Sequence, residues 1–104
     1  MGTVTLEVLH VADCANLPAF LANLSEATDL PVTTRLIGAE SEVAGSPTLL
    51  VNGVDPFAVP GQRSYGEACR LYRDERGAIV RAPSVSQLRD AIAAVSSRQR
   101  PGAP

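Results

Sequence analysis

Few residues of this sequence carry side chains suited to chemistry. The 104 residues include two cysteines, Cys14 and Cys69, and a single histidine, His10. A structural zinc site with four Cys and His ligands cannot be built from one copy of the chain. Two cysteines are also too few for a small secreted scaffold held by several disulfides. The two thiols are therefore the first candidates for reactive groups, and we expect no bound metal and no cofactor.

The composition excludes several classes of protein. Hydrophobic residues make up 45% of the chain and charged residues 19%, which is typical of a globular domain. The net charge is -2 and the nine basic residues, all arginine, are scattered, so nucleic acid is not an expected partner. No run approaches the roughly 18 apolar residues that span a membrane. We expect a cytoplasmic protein that binds no membrane, with its oligomeric state open.

The segment around Cys14 is predicted to be a strand followed by a helix. Residues 3–11 alternate with period two and become apolar on both faces, which is typical of an interior strand. Apolar residues at helical spacing then predict a helix from Leu17 to Thr28. Asn16 is its expected N-cap, and Pro18 fits in the first turn. Cys14 would thus lie where the strand leads into the helix.

Two further strands and a loop are predicted next. Val32–Ile37 is rich in β-branched residues, and two strands joined through a helix imply a parallel pair with a right-handed crossover. A short helical turn could follow within residues 38–45. Pro47–Val51 is an unbroken apolar run stopped by Asn52-Gly53, which predicts a buried strand. Residues 54–68 indicate a long loop of the kind that is usually functional or mobile.

The remaining segments are predicted to complete one domain. Cys69–Arg73 indicates a fourth strand, antiparallel to Pro47–Val51, with a turn and a short strand at Ala78–Arg81 behind it. Ser84 and Gln87 form a capping-box pattern before a helix that ends near Ser97. We expect a three-layer α/β arrangement in a single domain over residues 1–97, followed by a flexible tail at 98–104.

The residues around Cys14 and Pro47 resemble the thioredoxin-like superfamily. They are Val11-Ala12-Asp13-Cys14 at a strand end, and Ser46-Pro47-Thr48 opening an apolar strand that ends at Asn52-Gly53. With DPF at 55–57 and CRLYRDE at 69–75, the chain is most similar to small bacterial thioredoxin-like proteins labelled alkylmercury-lyase-like. The resemblance implies a four-stranded mixed sheet in the order 4-3-1-2 with helices on both faces. It also implies a nucleophilic Cys14 facing a cis-Pro47, and a substrate bound by Ser46 and Pro47.

Position 17 departs from the family pattern. Dithiol members have a second cysteine there, whereas this sequence reads Cys14-Ala15-Asn16-Leu17. The resemblance therefore implies a monothiol, oxidoreductase-like protein in which Cys14 forms mixed disulfides with a small thiol or a protein partner. A non-catalytic thioredoxin-fold binding or accessory module is the first alternative, with Cys14 as a small apolar residue at a helix start. A mercury or organomercurial site at Cys14, Cys69 and Asp13 is the second.

Three other residues are candidate auxiliaries of Cys14. A thiol beside the free N–H groups of a helix start sees a partial positive charge that favours thiolate, whereas the Asp13 carboxylate opposes it. His10, four residues before Cys14, is either a partner in a Cys–His pair or a packed ring. Cys69 is predicted at the end of the sheet remote from Cys14. The distance between the two Cα atoms would then exceed the about 4.4–6.8 Å that a disulfide needs.

Arginine and aspartate residues near the predicted loop have simpler expected roles. Arg63, Tyr65 and Arg70 either line a pocket or are solvated, and solvation is the usual state of arginines on a loop. Asp55-Pro56 is expected to form a turn.

Overall fold

The computed structural model describes residues 4–37, 46–58 and 70–98. Its elements, in chain order, are β1 (Leu6–His10), α1 (Leu17–Ala27), β2 (Val32–Leu36), β3 (Thr48–Val51), β4 (Tyr72–Arg73), β5 (Ile79–Val80) and α2 (Val85–Arg98). The helical turn predicted within 38–45, most of the 54–68 loop, and Cys69 lie outside the described residues. None of the described helices is long and apolar enough to cross a membrane.

A mixed sheet with β1 at its centre organises the fold. β1 pairs with β2 in parallel, with Leu6 opposite Val32, and with β3 antiparallel, with Leu6 opposite Val51. The predicted parallel pair is confirmed, as expected for two strands joined through a helix. The predicted third strand is also confirmed, and it begins at Thr48, directly after Pro47.

The prediction of a four-stranded sheet is wrong. The described sheet has three strands in the order β2-β1-β3, and β4 pairs with β5 in a separate two-stranded ribbon. The segment before β4 approaches β3 through the Arg70 N–H, which donates to the Ser46 carbonyl at 2.8 Å. Two residues later the Tyr72 phenol, not a backbone group, donates to the Pro47 carbonyl. At this point β4 contacts the start of β3 through a side chain and not through a strand ladder.

Both described helices cover the same face of the sheet. Residues opposite each other in paired strands share a face, so Leu6 and Val8 of β1 lie beside Val51 and Leu49 of β3. These four residues form one buried cluster with residues of both helices and of β4: Phe20, Leu24, Tyr72, Leu88, Ile92 and Val95. Neither described helix lies on the opposite face, so the predicted arrangement with helices on both faces is not found in this part of the chain.

The helix ends follow the predicted capping signals in part. Pro18 lies in the first turn of α1, and Asn16 is its N-cap residue but makes no side-chain capping bond. At α2 the predicted capping box is confirmed: the Ser84 N–H donates to Gln87 Oε1 at 2.9 Å, and the Gln87 N–H donates to Ser84 Oγ at 3.1 Å. α2 extends to Arg98, the first residue of the predicted tail. Residues 99–104 lie outside the described part.

A tight turn closes one end of the β1–β3 pair. Asn52 and Gly53 have φ values of 52° and 81°, a left-handed region that asparagine and glycine tolerate better than other residues. The Asn52 N–H donates to the Thr5 carbonyl at 2.9 Å, and Asn52 Oδ1 accepts the Thr5 N–H at 2.8 Å. The turn therefore fixes the start of β1 against the end of β3.

Candidate functional site

Cys14 lies in the connection between β1 and α1. The Leu17 N–H donates to the Cys14 carbonyl at 3.3 Å, in a turn that leads into the helix. Because Asn16 is the N-cap residue, Cys14 precedes the cap by two positions and lies just outside the first helical turn. Its thiol is free and half-buried. The cysteine is therefore at the predicted junction of strand and helix, and the residue is half-buried.

Ser46 contacts the sulfur of Cys14. Ser46 Oγ lies 3.1 Å from Cys14 Sγ, and the Val11 N–H donates to the same oxygen at 3.0 Å. An N–H can only donate, so Val11 takes a lone pair of the hydroxyl and leaves its one proton for the sulfur. Ser46 and Pro47 are fully buried, and the peptide bond between them is cis, as the resemblance implied. The Ser46 hydroxyl is thus a hydrogen-bond donor to Cys14.

The carbonyl of Ser46 is bonded within the chain. It accepts the Arg70 N–H at 2.8 Å. The resemblance implied that backbone groups of Ser46 bind a substrate chain, whereas this carbonyl already has a partner. The group that Ser46 directs to Cys14 is its side chain.

A cluster of side chains lies beside Ser46 and Pro47, with Arg70 and Tyr72 at its centre. This arginine–tyrosine cluster is formed by Thr48, Asp55, Phe57, Arg70 and Tyr72. Arg70 Nη1 donates to Asp55 Oδ2 at 2.8 Å and to Thr48 Oγ1 at 3.2 Å, and Nη2 donates to the Phe57 carbonyl at 2.9 Å. The side chain of Arg70 is only 3% exposed. A buried guanidinium needs such partners, because an unpaired charge in the interior is strongly unfavourable.

This cluster was not predicted from the sequence. Arg70 was expected to line a pocket or to be solvated, and Asp55-Pro56 was expected to form a turn. The turn exists, since Asp55 Oδ1 accepts the Phe57 N–H at 3.0 Å, but the other carboxylate oxygen pairs with Arg70. Arg70 is buried while its apolar neighbour Leu71 is exposed, which reverses the order that hydropathy predicts. The only signal in the sequence was the period-two spacing of Arg70 and Tyr72 within the predicted strand Cys69–Arg73.

Tyr72 connects the cluster to Pro47 and to α1. Its phenol donates to the Pro47 carbonyl, and the guanidinium carbon of Arg70 lies 4.8 Å from its ring centroid. The ring meets Phe57 edge-on at 5.4 Å between centroids and Phe20 of α1 at 5.9 Å. These contacts surround the phenol with protein, which gives it a defined orientation.

Burial raises the pKa of the Tyr72 phenol well above its usual range, against the opposing effect of the Arg70 guanidinium. In the unfolded chain a tyrosine ionises at about pH 10. Since the folded state keeps the proton longer, stability is fully present below that pH and decreases as the pH rises beyond it. We expect the free energy of unfolding, measured in urea, to be level up to about pH 9 and to fall from about pH 10 upward. The fall should be smaller in Tyr72→Phe, and an equal fall in both proteins would contradict this assignment.

The three candidate auxiliaries are not gathered around Cys14 by the described contacts. The His10 ring nitrogen Nδ1 donates to the Val11 carbonyl at 3.1 Å, because a carbonyl can only accept. Asp13 is exposed, with a φ of 57°. Cys69 lies outside the described residues. The prediction that it is remote from Cys14 stays a prediction.

Leu17 is partly buried and packs against the core cluster, so an apolar side chain occupies the position of the second thiol in the dithiol pattern.

No group of three or more His, Cys, Asp or Glu side chains that could hold a metal ion occurs among residues 4–37, 46–58 and 70–98.

Comparison with known proteins found no matching protein-family model, no similar curated protein and no similar solved structure. The resemblance to the thioredoxin-like superfamily therefore rests on the residues of this chain.

Proposed function

We propose that this chain is a thioredoxin-like monothiol protein in which Cys14 forms mixed disulfides with a small thiol or a protein partner. The observation that supports the proposal most directly is the hydrogen bond from the Ser46 hydroxyl to Cys14 Sγ, at 3.1 Å. A donor aimed at sulfur stabilises negative charge on it, and the thiolate is the nucleophilic form of cysteine. Cys14 is half-buried and not fully enclosed by the described residues.

The proposed step is thiol–disulfide exchange. The Cys14 thiolate attacks one sulfur of a low-molecular-weight disulfide, a new S–S bond forms to Cys14, and the original S–S bond breaks. The second sulfur leaves as a thiolate and takes a proton from water. The disulfide supplies the oxidising equivalents, so no further oxidant is needed. A second molecule of free thiol reverses the step and regenerates Cys14.

Leu17 supports a monothiol over a dithiol cycle. In a C-x-x-C pair the second thiol would attack the mixed disulfide from the first turn of the helix. Here that turn presents an apolar side chain that packs on the core. Release of the bound group therefore depends on a thiol from outside the Cys14–Leu17 turn.

Glutathione disulfide is a suitable probe of the proposal. We expect the reduced protein to gain the mass of one glutathione at Cys14, as read by intact mass and peptide mapping. Cys14→Ser should lose this adduct, and Cys69→Ser, which keeps Cys14, should retain it. The folded protein should react faster than the same protein unfolded in urea, because folding brings Ser46 to the sulfur. An adduct that persists in Cys14→Ser, or a folded protein that reacts no faster, would refute the proposal.

A non-catalytic binding module is the second candidate function. It is favoured by the Ser46 carbonyl, which is already bonded to Arg70, and by the absence of a thiol at position 17. In this case Cys14 is a structural residue whose sulfur accepts one hydrogen bond from a buried hydroxyl. The glutathione experiment separates the two, because a structural thiol gains no reactivity on folding. The described residues offer nothing that favours the mercury site.

A further inference from the structure

Two consecutive carbonyls beside the site are bonded by the segment that precedes and enters β4. The Ser46 carbonyl accepts the Arg70 N–H at 2.8 Å, and the Pro47 carbonyl accepts the Tyr72 phenol. Ser46 and Pro47 are fully buried, so bulk water does not offer these carbonyls another partner. The Ser46–Pro47 segment is therefore held by Arg70 and Tyr72 at its carbonyls and by the Val11 N–H at the Ser46 hydroxyl.

Tyr72 is itself held on several sides. The Arg70 guanidinium lies over one face of the ring, with its central carbon 4.8 Å from the centroid, and Asp55 fixes that guanidinium at 2.8 Å. Phe57 and Phe20 contact the ring at 5.4 and 5.9 Å between centroids. The phenol thus has little freedom to follow a movement of Pro47, so it acts as a fixed point for that carbonyl.

We propose that Tyr72 is a positioning residue for Cys14: its phenol fixes the Pro47 carbonyl and so keeps the Ser46 hydroxyl at hydrogen-bond distance from the sulfur. The inference rests on the proposed function, in which Cys14 is the nucleophile. Ser46 is the residue next to Pro47, and its hydroxyl lies 3.1 Å from Cys14 Sγ. Functional groups must be held within about 0.5 Å of their working geometry, so loss of a fixed point one residue away weakens this contact.

The chemistry of Tyr72 suits this role. Burial raises the pKa of its phenol above the usual range, so the phenol remains a protonated donor throughout the neutral and mildly alkaline range in which thiols react. The ring contacts do not depend on the phenolic oxygen. Tyr72→Phe therefore removes the donor to Pro47, together with the hydrogen bonds between the phenol and the Thr48 and Arg70 side chains, and keeps the shape of the ring that packs against Phe57 and Phe20.

A double-mutant cycle tests the inference through the second-order rate of Cys14 alkylation by iodoacetamide. All proteins carry Cys69→Ser, so that one thiol reacts. We expect Tyr72→Phe and Ser46→Ala each to slow alkylation by about three- to tenfold, the factor that corresponds to one hydrogen bond. The variant with both changes should be no slower than Ser46→Ala alone, because Tyr72 acts through Ser46.

Thr33→Val is the matched control. The Thr33 hydroxyl donates to the Leu6 carbonyl at 3.2 Å, so this change also removes a hydroxyl bonded to a backbone carbonyl, but on β2 at the other edge of the sheet. Its alkylation rate should equal that of the parent protein. A general loosening of the fold would slow alkylation in Thr33→Val as well, whereas the expected change is confined to Tyr72→Phe and Ser46→Ala.

The inference is overturned if Tyr72→Phe reacts as fast as the parent protein or faster, or if it slows alkylation equally in the Ser46→Ala background. Should Tyr72→Phe not fold, Arg70→Lys takes its place in the cycle, since it keeps a charge beside Asp55 but loses the guanidinium over the ring. The proposed function is judged separately by glutathione disulfide. A coupled cycle without glutathione addition would refute the mixed-disulfide function and leave the role of Tyr72 standing.

Discussion

Asp55→Asn is expected to lower the free energy of unfolding by about 3 kcal/mol, near the low end of the range for breaking a buried ion pair. Arg70 is 3% exposed and Asp55 19%, with 2.8 Å between Arg70 Nη1 and Asp55 Oδ2. Asparagine keeps the shape of the side chain and the oxygen that accepts the Phe57 N–H. The change therefore removes both the charge and the oxygen that accepts from Arg70 Nη1, which leaves a buried guanidinium without its counter-ion.

Glu7→Gln provides the matched control for this substitution. Glu7 pairs with Arg35 at 3.3 Å, but the Arg35 side chain is 60% exposed. A neutral isostere at such a pair should change the free energy of unfolding by less than about 1 kcal/mol, because water screens the charges. Urea unfolding of both variants at neutral pH gives the comparison. Equal losses in the two variants would show that the Asp55–Arg70 pair is no more protected from water than the Glu7–Arg35 pair.

Phe20→Ala is expected to lower the free energy of unfolding by about 3 to 5 kcal/mol, the usual range for truncating a buried phenylalanine. Phe20 is fully buried on α1, and its ring lies 5.9 Å from that of Tyr72 between centroids. The substitution removes the apolar contact and leaves a cavity between α1 and the arginine–tyrosine cluster. We expect the loss to appear in urea unfolding as a lower midpoint with little change in slope.

Leu36→Ala is the control for Phe20→Ala. Leu36 is an apolar residue of β2 with 63% of its surface exposed. Its truncation should change the free energy of unfolding by no more than about 0.5 kcal/mol, as is usual at the surface. A loss at Leu36 as large as that at Phe20 would mean that the core does not lie between the helices and the β1–β3 face.

Regular elements with strong local patterns were predictable from the sequence. The helical spacing from Leu17 onwards, the parallel β1–β2 pair and the Ser84–Gln87 capping box depend on neighbours in the chain or on one short connection, and all three are confirmed. The fourth strand depended on a contact across residues 54–68. It was wrong because β4 pairs with β5 and meets the start of β3 through the Tyr72 phenol, a side-chain contact that a hydropathy pattern does not show.

The candidate site was predictable to a similar extent. The motif that contains Cys14, Ser46 and Pro47 correctly indicated residues that the fold brings together. The ion pair beside them was not predictable, because Asp55 and Arg70 are 15 residues apart with no periodic relation. Arginine is also the residue least expected in an interior. Its burial depends on three partners that are distant from it in the sequence: Thr48, Asp55 and the Phe57 carbonyl.

The two ends of the β1–β3 pair are closed by polar side chains, Asn52 on Thr5 at one end and Ser46 on Val11 at the other. A slip of one residue between these strands would break both closures and turn the core side chains of one strand to the opposite face. The hydrogen bond from the Ser46 hydroxyl to Cys14 Sγ therefore also depends on the alignment of β1 with β3. A substitution that shifts β1 along β3 is therefore expected to change the reactivity of the Cys14 thiol while the protein is still folded.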